Sequence, residues 1–307
     1  IPTHNRPHLL PRVVDSARQS GKDVEVIVVD DASTDSTADV CNKLKDIKYI
    51  RLDRNQGVAG ARNVGILASN TEFIAFLDDD DLRLPGSLDV QIEALEANPK
   101  AGFVCGECLH MDQDYNVLKE RTTPPSSGDV FWEILEMGFP VLPLSVVIRK
   151  SRLFSSGLFN TRCSGFDDWD LWVRLAELFP VALVNEPVGI YRIPTPGSNQ
   201  GLSIAAPLFL RVVRHQSQLL MLPRAQAAPQ VKRREARRRL RKRIADTLSW
   251  TAATMLPEGQ YEVALVNFLA AVRISPTSAA RPAHARQMYR SFMAQRKAPP
   301  RGAPSPT

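Results

Sequence analysis

Four aspartates stand without a spacer at Asp78–Asp81, directly behind the apolar run Phe73–Leu77. Four carboxylates leaving a buried strand repel one another. A divalent cation is the simplest compensation, since Mg²⁺ and Mn²⁺ take hard oxygen ligands and keep open positions for phosphate oxygens. Pro85 then sits where a helix would begin, and acidic residues ahead of a helix also serve as a solvated cap, so the run alone reads either way. Two further acidic groups punctuate the chain. Asp30 and Asp31 end the run VEVIVV, and Asp167, Asp168 and Asp170 fall in the first turn of the helical stretch SGFDDWDLWVRLAELFP.

The elements that must position these groups alternate. IPTHNR closes a strand, and PHLLPRVVDSARQSG is an amphipathic helix with Leu9, Leu10, Val13 and Ala17 on one face. VEVIVVDD is too apolar for a one-sided strand and belongs inside a parallel sheet. DSTADVCNKLKD reads as a helix, KYIRL as a strand, NQGVAGARNVGILASN as a glycine-rich turn running into a helix, and FIAFL as the fourth strand. Four strand–helix alternations before residue 80 predict an α/β fold with a mostly parallel sheet and helices on both faces. In such a sheet ligands bind at the carboxyl ends of the strands, where the aspartates lie. Beyond them follow a helix over PGSLDVQIEALEANP, a strand over AGFVCGECLHMD, a polar loop over 119–128, a strand at SVVIRK, the helix carrying Asp168, and a strand or hairpin over VALVNEPVGIYRI. Past Gly201 the pattern turns helical, over about 206–221, 231–256, 259–274 and 281–295. The proline-rich end is expected to be disordered.

Composition bounds the function. The 307 residues are 44% hydrophobic and 23% charged, as in a globular protein, and no apolar run approaches the length of a membrane span. The net charge of +6 is a local effect: VKRREARRRLRKR (231–243) holds nine basic residues and one acidic, leaving −2 for the rest. Nucleic-acid binding would rest on that segment alone, and none is expected. Of four cysteines only Cys105 and Cys108 have metal-like spacing; with no second pair, buried thiols and a reducing compartment are expected instead of zinc. The chain opens at Ile1 inside a strand, so that strand is expected to be truncated.

Five segments, IPTHNRP, VIVVDDASTDST, NQGVAGARNVG, FLDDDDLRLP and FDDWDLWVRL, occur in the order and rough spacing of the family-2 glycosyltransferases, and residues 1 to about 200 resemble that family. The resemblance implies the GT-A fold, a nucleotide-sugar donor and inverting transfer to an acceptor hydroxyl. It implies that Pro2, Thr3 and His4 lie along the nucleotide, that Asp31 accepts a hydrogen bond from the base, and that Arg62 contacts the donor. It places Asp79 at the ribose, Asp80 on the metal with Asp78 opening the D-x-D pattern, and Asp168 as general base with an ordinary carboxylate pKa. UDP is the favoured nucleotide. Asp30 reads as either a ligand or a helix cap, Asp81 as a helix-side cap, Asp170 as a charge serving the helix N-terminus, and Trp169 and Trp172 as core or as sugar-stacking rings. The chain departs from the family after Tyr191-Arg192, where IPTPGSNQ lacks the histidine that often completes the metal site.

The tail resembles part of a tetratricopeptide repeat over LPEGQYEVALVNFLAAVRISP. A single such unit cannot bury its own face. The basic helix before it carries the apolar line Ala236, Leu240, Ile244 and Leu248, which predicts either a solvated helix with one packed face or peripheral contact of 231–250 with anionic lipid. The expected organisation is a catalytic domain over 1–204, a helical extension over 205–297 and a disordered tail over 298–307. The expected role is transfer to a saccharide or lipid-linked acceptor in bacterial surface-polysaccharide or glycolipid assembly, in the cytoplasm at the inner face of the membrane. The competing readings are a catalytically inactive donor-binding scaffold and a nucleotidyltransferase. The latter would want a glycine-rich basic phosphate loop near the first strand, and IPTHNRP is not one.

Overall fold

A computed structural model describes residues 1–112, 114–122, 126–193, 205–256 and 258–279. Two compact units divide at Pro196/Gly197. The first opens with β1 (Pro2–Thr3), α1 (Leu10–Gln19), β2 (Val26–Asp30), α2 (Thr37–Cys41), β3 (Ile47–Arg51) and α3 (Gly57–Ala68). β4 (Phe73–Ala75), β5 (Leu82–Arg83), α4 (Ser87–Ala97), β6 (Phe103–Met111), β7 (Val117–Thr122) and α5 (Phe131–Leu135) follow. β8 (Val146–Arg149), α6 (Lys150–Ser156), α7 (Asp167–Leu178) and β9 (Val181–Arg192) complete it.

The expected parallel sheet is half the answer. β1, β2 and β3 are parallel, with Pro2 opposite Val29 and Val26 opposite Ile47. The other strands form a mixed sheet ordered β4-β8-β6-β9-β5, with β7 paired to β6. There β8 runs antiparallel to both β4 and β6, and β9 is one long strand parallel to β6 with shifts in register, not a hairpin. Both kinds of strand are buried on two faces, so an apolar run does not reveal the direction of its neighbour. Residues 119–122, the start of the stretch expected as a loop, belong instead to β7, which pairs with β6. The helix expected over 35–46 shrinks to Thr37–Cys41. Pro85 does not open α4; Gly86 intervenes at φ 70°, a left-handed conformation glycine adopts freely, and the helix begins at Ser87.

This topology stretches the acidic run across the end of the mixed sheet. β4 and β5 are its two edge strands, so Phe76–Asp81 must carry the chain from one edge to the other. An aromatic cluster fixes the crossing. The Trp172 ring stacks on Phe103 at 6.1 Å and lies 6.4 Å from both Phe76 and Phe159, and Phe76 meets Phe159 edge-on at 5.0 Å. Trp169 and Trp172 are both core residues, their indole N–H groups donating to the Ile134 and Val141 carbonyls at 2.7 and 3.1 Å. Neither ring is open to a sugar.

The second unit contains α8 (Ala205–Leu219), α9 (Pro223–Ala227), α10 (Gln230–Met255), α11 (Tyr261–Ile274) and α12 (Pro276–Ala279). The line Ala236, Leu240, Ile244 and Leu248 is buried, and Ala252 and Met255 pack with Ala264 of α11. The helix expected over 281–295 and the tail over 298–307 lie outside the described residues. Among the described residues no helix is long and apolar enough to cross a membrane.

Because Trp172 holds both the crossing and α7, Trp172→Ala should lower unfolding free energy by about 3–5 kcal/mol, read from urea denaturation. Preserved stability would mean that the cluster repacks around the loss.

Candidate active site

Each acidic group leaves the end of an element and meets a defined partner. After β2 the Asp30 carboxylate is fully buried and accepts from the Ser33 amide at 2.8 Å and the Tyr49 hydroxyl at 2.7 Å. It caps no helix, since α2 starts only at Thr37, and it ties the β2 turn to β3. Asp31 turns the other way. Its two oxygens accept from the amides of Gln56 and Gly57 at 2.6 and 2.8 Å, at the start of α3, where the helix dipole favours a negative charge. Gly57 sits at φ 74°, and the backbone there turns inward to make this contact.

The loop after β1 reaches the acidic run. Thr3 Oγ1 donates to Asp79 Oδ2 at 2.8 Å, and Arg6 Nη1 reaches Asp79 Oδ1 at 2.9 Å and Asp80 Oδ2 at 3.1 Å. Pro2 is buried beside Thr3, whereas His4 is exposed and its ring nitrogen meets the neighbouring Asn5 side chain. Asn5 anchors the loop: its amide donates to Ser33 Oγ and its Oδ1 accepts from the Thr34 amide.

Arg62, buried on α3, joins the two halves. Nη2 meets Asp78 Oδ1 at 2.6 Å and Nη1 meets Asp167 Oδ2 at 3.2 Å. Burial works against its charge, yet Asp78 and Asp167 together hold its pKa above the ordinary guanidinium value. Beside it Asn63 exchanges two hydrogen bonds of 2.9 Å with the Phe159 backbone. Asp170 binds the Arg174 guanidinium at 2.7 and 2.9 Å, and Arg174 in turn donates to the carbonyls of Ser156, Gly157 and Leu158. Asp170 thus braces the segment before α7 as well as sitting in the first turn.

The four aspartates of the run divide by exposure. The Asp78 and Asp80 side chains are 28% and 19% exposed, against 7% for Asp79. Asp81 is buried and accepts from the Arg192 amide at 2.9 Å, so it ties the crossing to β9 and is not the expected cap of α4. Burial raises the pKa of Asp79 to about 6 against the pull of Arg6 and Thr3. Burial and the Asp78 charge raise Asp80, and push Asp81 well above the carboxylate range. The two accessible members are those spaced as D-x-D, offer only oxygen, and crowd negative charge. They fit a hard divalent cation.

Asp168 follows Asp167 at the start of α7 and is partly exposed, accepting at Oδ1 from the Trp169 amide at 2.7 Å. Burial and the adjacent Asp167 raise its pKa to about 6, with Arg62 opposing, so the expectation of ordinary acidity is corrected. The structure therefore brings Thr3, Arg62, Asp78, Asp79, Asp80, Asp167 and Asp168 into one linked network, with Asp31 on the adjoining strand end and His4 at the surface. Arg6 was not among the expected site residues; a cation in the loop between a strand end and four carboxylates was its signal. The four cysteines are all buried thiols.

Solved structures share this architecture across nearly the whole chain. Staphylococcus aureus TarS 1-349 matches with a TM-score of 0.59 at 14% identity, covering 96% of this chain and 87% of that one. The mannosyltransferase PcManGT from Pyrobaculum calidifontis, solved with GDP-Man and Mn2+, gives 0.57 at 18%, covering 96% and 84%. The fold is that of the GT-A glycosyltransferases. Residues 1–159, just over half the chain, match the family described as Glycosyl transferase family 2, and the chain belongs to it. Among curated relatives, the Campylobacter jejuni GalNAc(5)-diNAcBac-PP-undecaprenol beta-1,3-glucosyltransferase is 36% identical over 185 residues, 57% of this chain and 58% of that protein. The Escherichia coli UDP-Glc:alpha-D-GlcNAc-diphosphoundecaprenol beta-1,3-glucosyltransferase WfaP is 33% identical over 128 residues, 41% and 50%. The matched stretches span 26% to 65% of the first four curated relatives.

A raised pKa marks a carboxylate whose charge opposes folding. Its unfolded value is near 4, so the penalty is absent below pH 4 and complete above pH 6. Asp168→Asn should accordingly raise stability at pH 8 by on the order of 1–2 kcal/mol, with the gain shrinking toward pH 4 in thermal unfolding. An equal effect at both pH values would mean that the charge is not the cause.

Proposed function

We propose that this chain transfers a sugar from a nucleotide-diphosphate sugar to an acceptor hydroxyl by a single inverting displacement, at a divalent cation held by Asp78 and Asp80. One observation carries the reading: Arg62 binds Asp78 of the acidic crossing and Asp167 of the α7 turn at once, so donor-side and base-side carboxylates share one site. The cation, when bound, neutralises charge developing on the leaving nucleotide diphosphate.

The protein groups divide the remaining work. Pro2, Thr3 and His4 line the nucleotide, and Thr3 also orients Asp79 toward the ribose. Asp31 keeps an unused acceptor direction on each oxygen after its two backbone bonds, enough for a base N–H. Arg62 steadies the donor through Asp78. Asp168, held by the Trp169 amide and open on its outer side, takes the proton from the acceptor hydroxyl as it attacks the anomeric carbon. A pKa near 6 leaves it ionised at neutral pH and better matched to proton abstraction than an ordinary aspartate.

UDP is the favoured nucleotide. The E. coli relative is named for UDP-Glc, and TarS is solved with UDP-GlcNAc, in a structure of TM-score 0.55. Both named bacterial relatives act on undecaprenol-diphosphate-linked sugars and form beta linkages, which supports a lipid-linked acceptor, inversion and a place in envelope assembly. The exposed basic residues of α10, Arg237, Arg238, Arg241 and Lys242 among them, could approach anionic headgroups; the apolar line of that helix is spent on packing. The likeness of α11 to half a tetratricopeptide repeat fits a packing role for the extension.

Asp168→Asn should keep donor binding by calorimetry while transfer falls a hundredfold or more, and the parent's rate should decline as pH drops below about 6. Full activity in the variant, or a product with retained anomeric configuration by NMR, would exclude a single displacement through Asp168. Asp80→Asn should abolish the Mn²⁺-dependent thermal shift produced by nucleotide diphosphate and leave the apo fold intact. A panel of UDP, TDP, GDP and CMP sugars with and without Mn²⁺ identifies the donor, and a UDP preference is expected.

A further inference from the structure

The acidic run already carries two protein cations, and they are not equivalent. Arg62 is 5% exposed, sits on a helix and is held by Asp78 and Asp167 together. Arg6 lies on the loop between β1 and α1, is 27% exposed, and engages through a single nitrogen, Nη1. That nitrogen lies between Asp79 Oδ1 and Asp80 Oδ2, 2.9 and 3.1 Å away, and among the described residues no other cation pairs with either. Its backbone is held while its side chain stays partly exposed: Asn5 ties the loop to Ser33 and Thr34, and the Arg6 carbonyl accepts from the Leu9 amide at 3.2 Å.

We infer that Arg6 is an exchangeable internal cation of the donor site: it neutralises Asp80 when no metal is bound, yields that carboxylate to the divalent cation, and turns onto the diphosphate of the donor. The inference rests on the metal site proposed above. The physical argument is one of charge. Asp80 stands between Asp79 and Asp81 with its side chain only 19% exposed, and a guanidinium on a short tether, with Nη1 3.1 Å from Asp80 Oδ2, supplies the compensating charge at high effective concentration. A cation held by Asp80 would compete with Nη1 for that carboxylate and leave a guanidinium beside a cationic centre. The arriving diphosphate removes that conflict, because a guanidinium binds phosphate oxygens through paired N–H groups. Metal and diphosphate then strengthen one another beyond their direct contact, and the coupling is reciprocal. The site stays closed to metal alone and opens to metal with donor.

The test is a set of calorimetric titrations on the full chain: Mn²⁺ alone, UDP alone, and each in the presence of the other. Relative to the parent, Arg6→Gln should bind Mn²⁺ alone roughly tenfold more tightly and bind UDP in saturating Mn²⁺ roughly tenfold more weakly, with the coupling between the two reduced accordingly. Arg6→Lys, which keeps the charge without the planar fork, should fall between. Electron paramagnetic resonance of free Mn²⁺ provides an independent count of bound metal, and thermal unfolding confirms that each variant is folded. Arg6→Gln binding Mn²⁺ alone no better than the parent would overturn the inference and leave the metal site standing. If neither protein takes up Mn²⁺ with UDP present, the metal site itself falls, and this inference with it.

Discussion

The site depends on one buried guanidinium holding two carboxylates that lie far apart in the sequence of the first unit. Asp78 comes from a crossing at the edge of a sheet, and Asp167 from the first turn of a helix. Arg62 gives them a common centre at 2.6 and 3.2 Å. Without it, two carboxylates would face each other in a region where water screens poorly, and breaking a buried ion network of this kind costs about 3–5 kcal/mol. The aromatic cluster under the site supports the arrangement from below. Phe76 precedes Asp78 by two residues and Trp172 follows Asp168 by one helical turn, so packing of the rings fixes the spacing of the charges.

Negative charge is concentrated here at some cost to stability. Asp79, Asp80, Asp81, Asp167 and Asp168 all have raised pKa values, with burial the leading cause for each. A fold optimised for stability alone would have dispersed them. The network keeps the charges together by spending arginines and backbone amides on them: Arg6, Arg62 and the amides of Trp169 and Arg192 each answer one or two. Functional sites often store such unfavourable charge.

Much of this was legible in the residues. The strand–helix alternation, the acidic run at a strand end, and the apolar line of α10 rest on periodicity and composition, which local sequence encodes. What escaped is non-local. Whether β8 runs with or against β4 depends on connections that no single run displays. Residues 119–122 open a polar stretch, yet they continue β7 and pair with β6. Asp81 looked like a cap because a helix followed it; its partner, Arg192, is 111 residues away. The raised pKa of Asp168 follows from burial and from Asp167, and burial is a property of the assembled fold.

The segment leading into α7 is held at both ends by different residues. Asn63 grips Phe159 with two hydrogen bonds, and Arg62 grips Asp167. Between these anchors lie Asn160–Phe166, where Thr161, Arg162, Ser164 and Gly165 face solvent. The anchors separate the stretch from the groups beside it: drift in its sequence leaves Asp167, Asp168 and the acidic crossing where they are. Such a segment is a natural place for the surface beside the site to vary while the packing behind it stays the same.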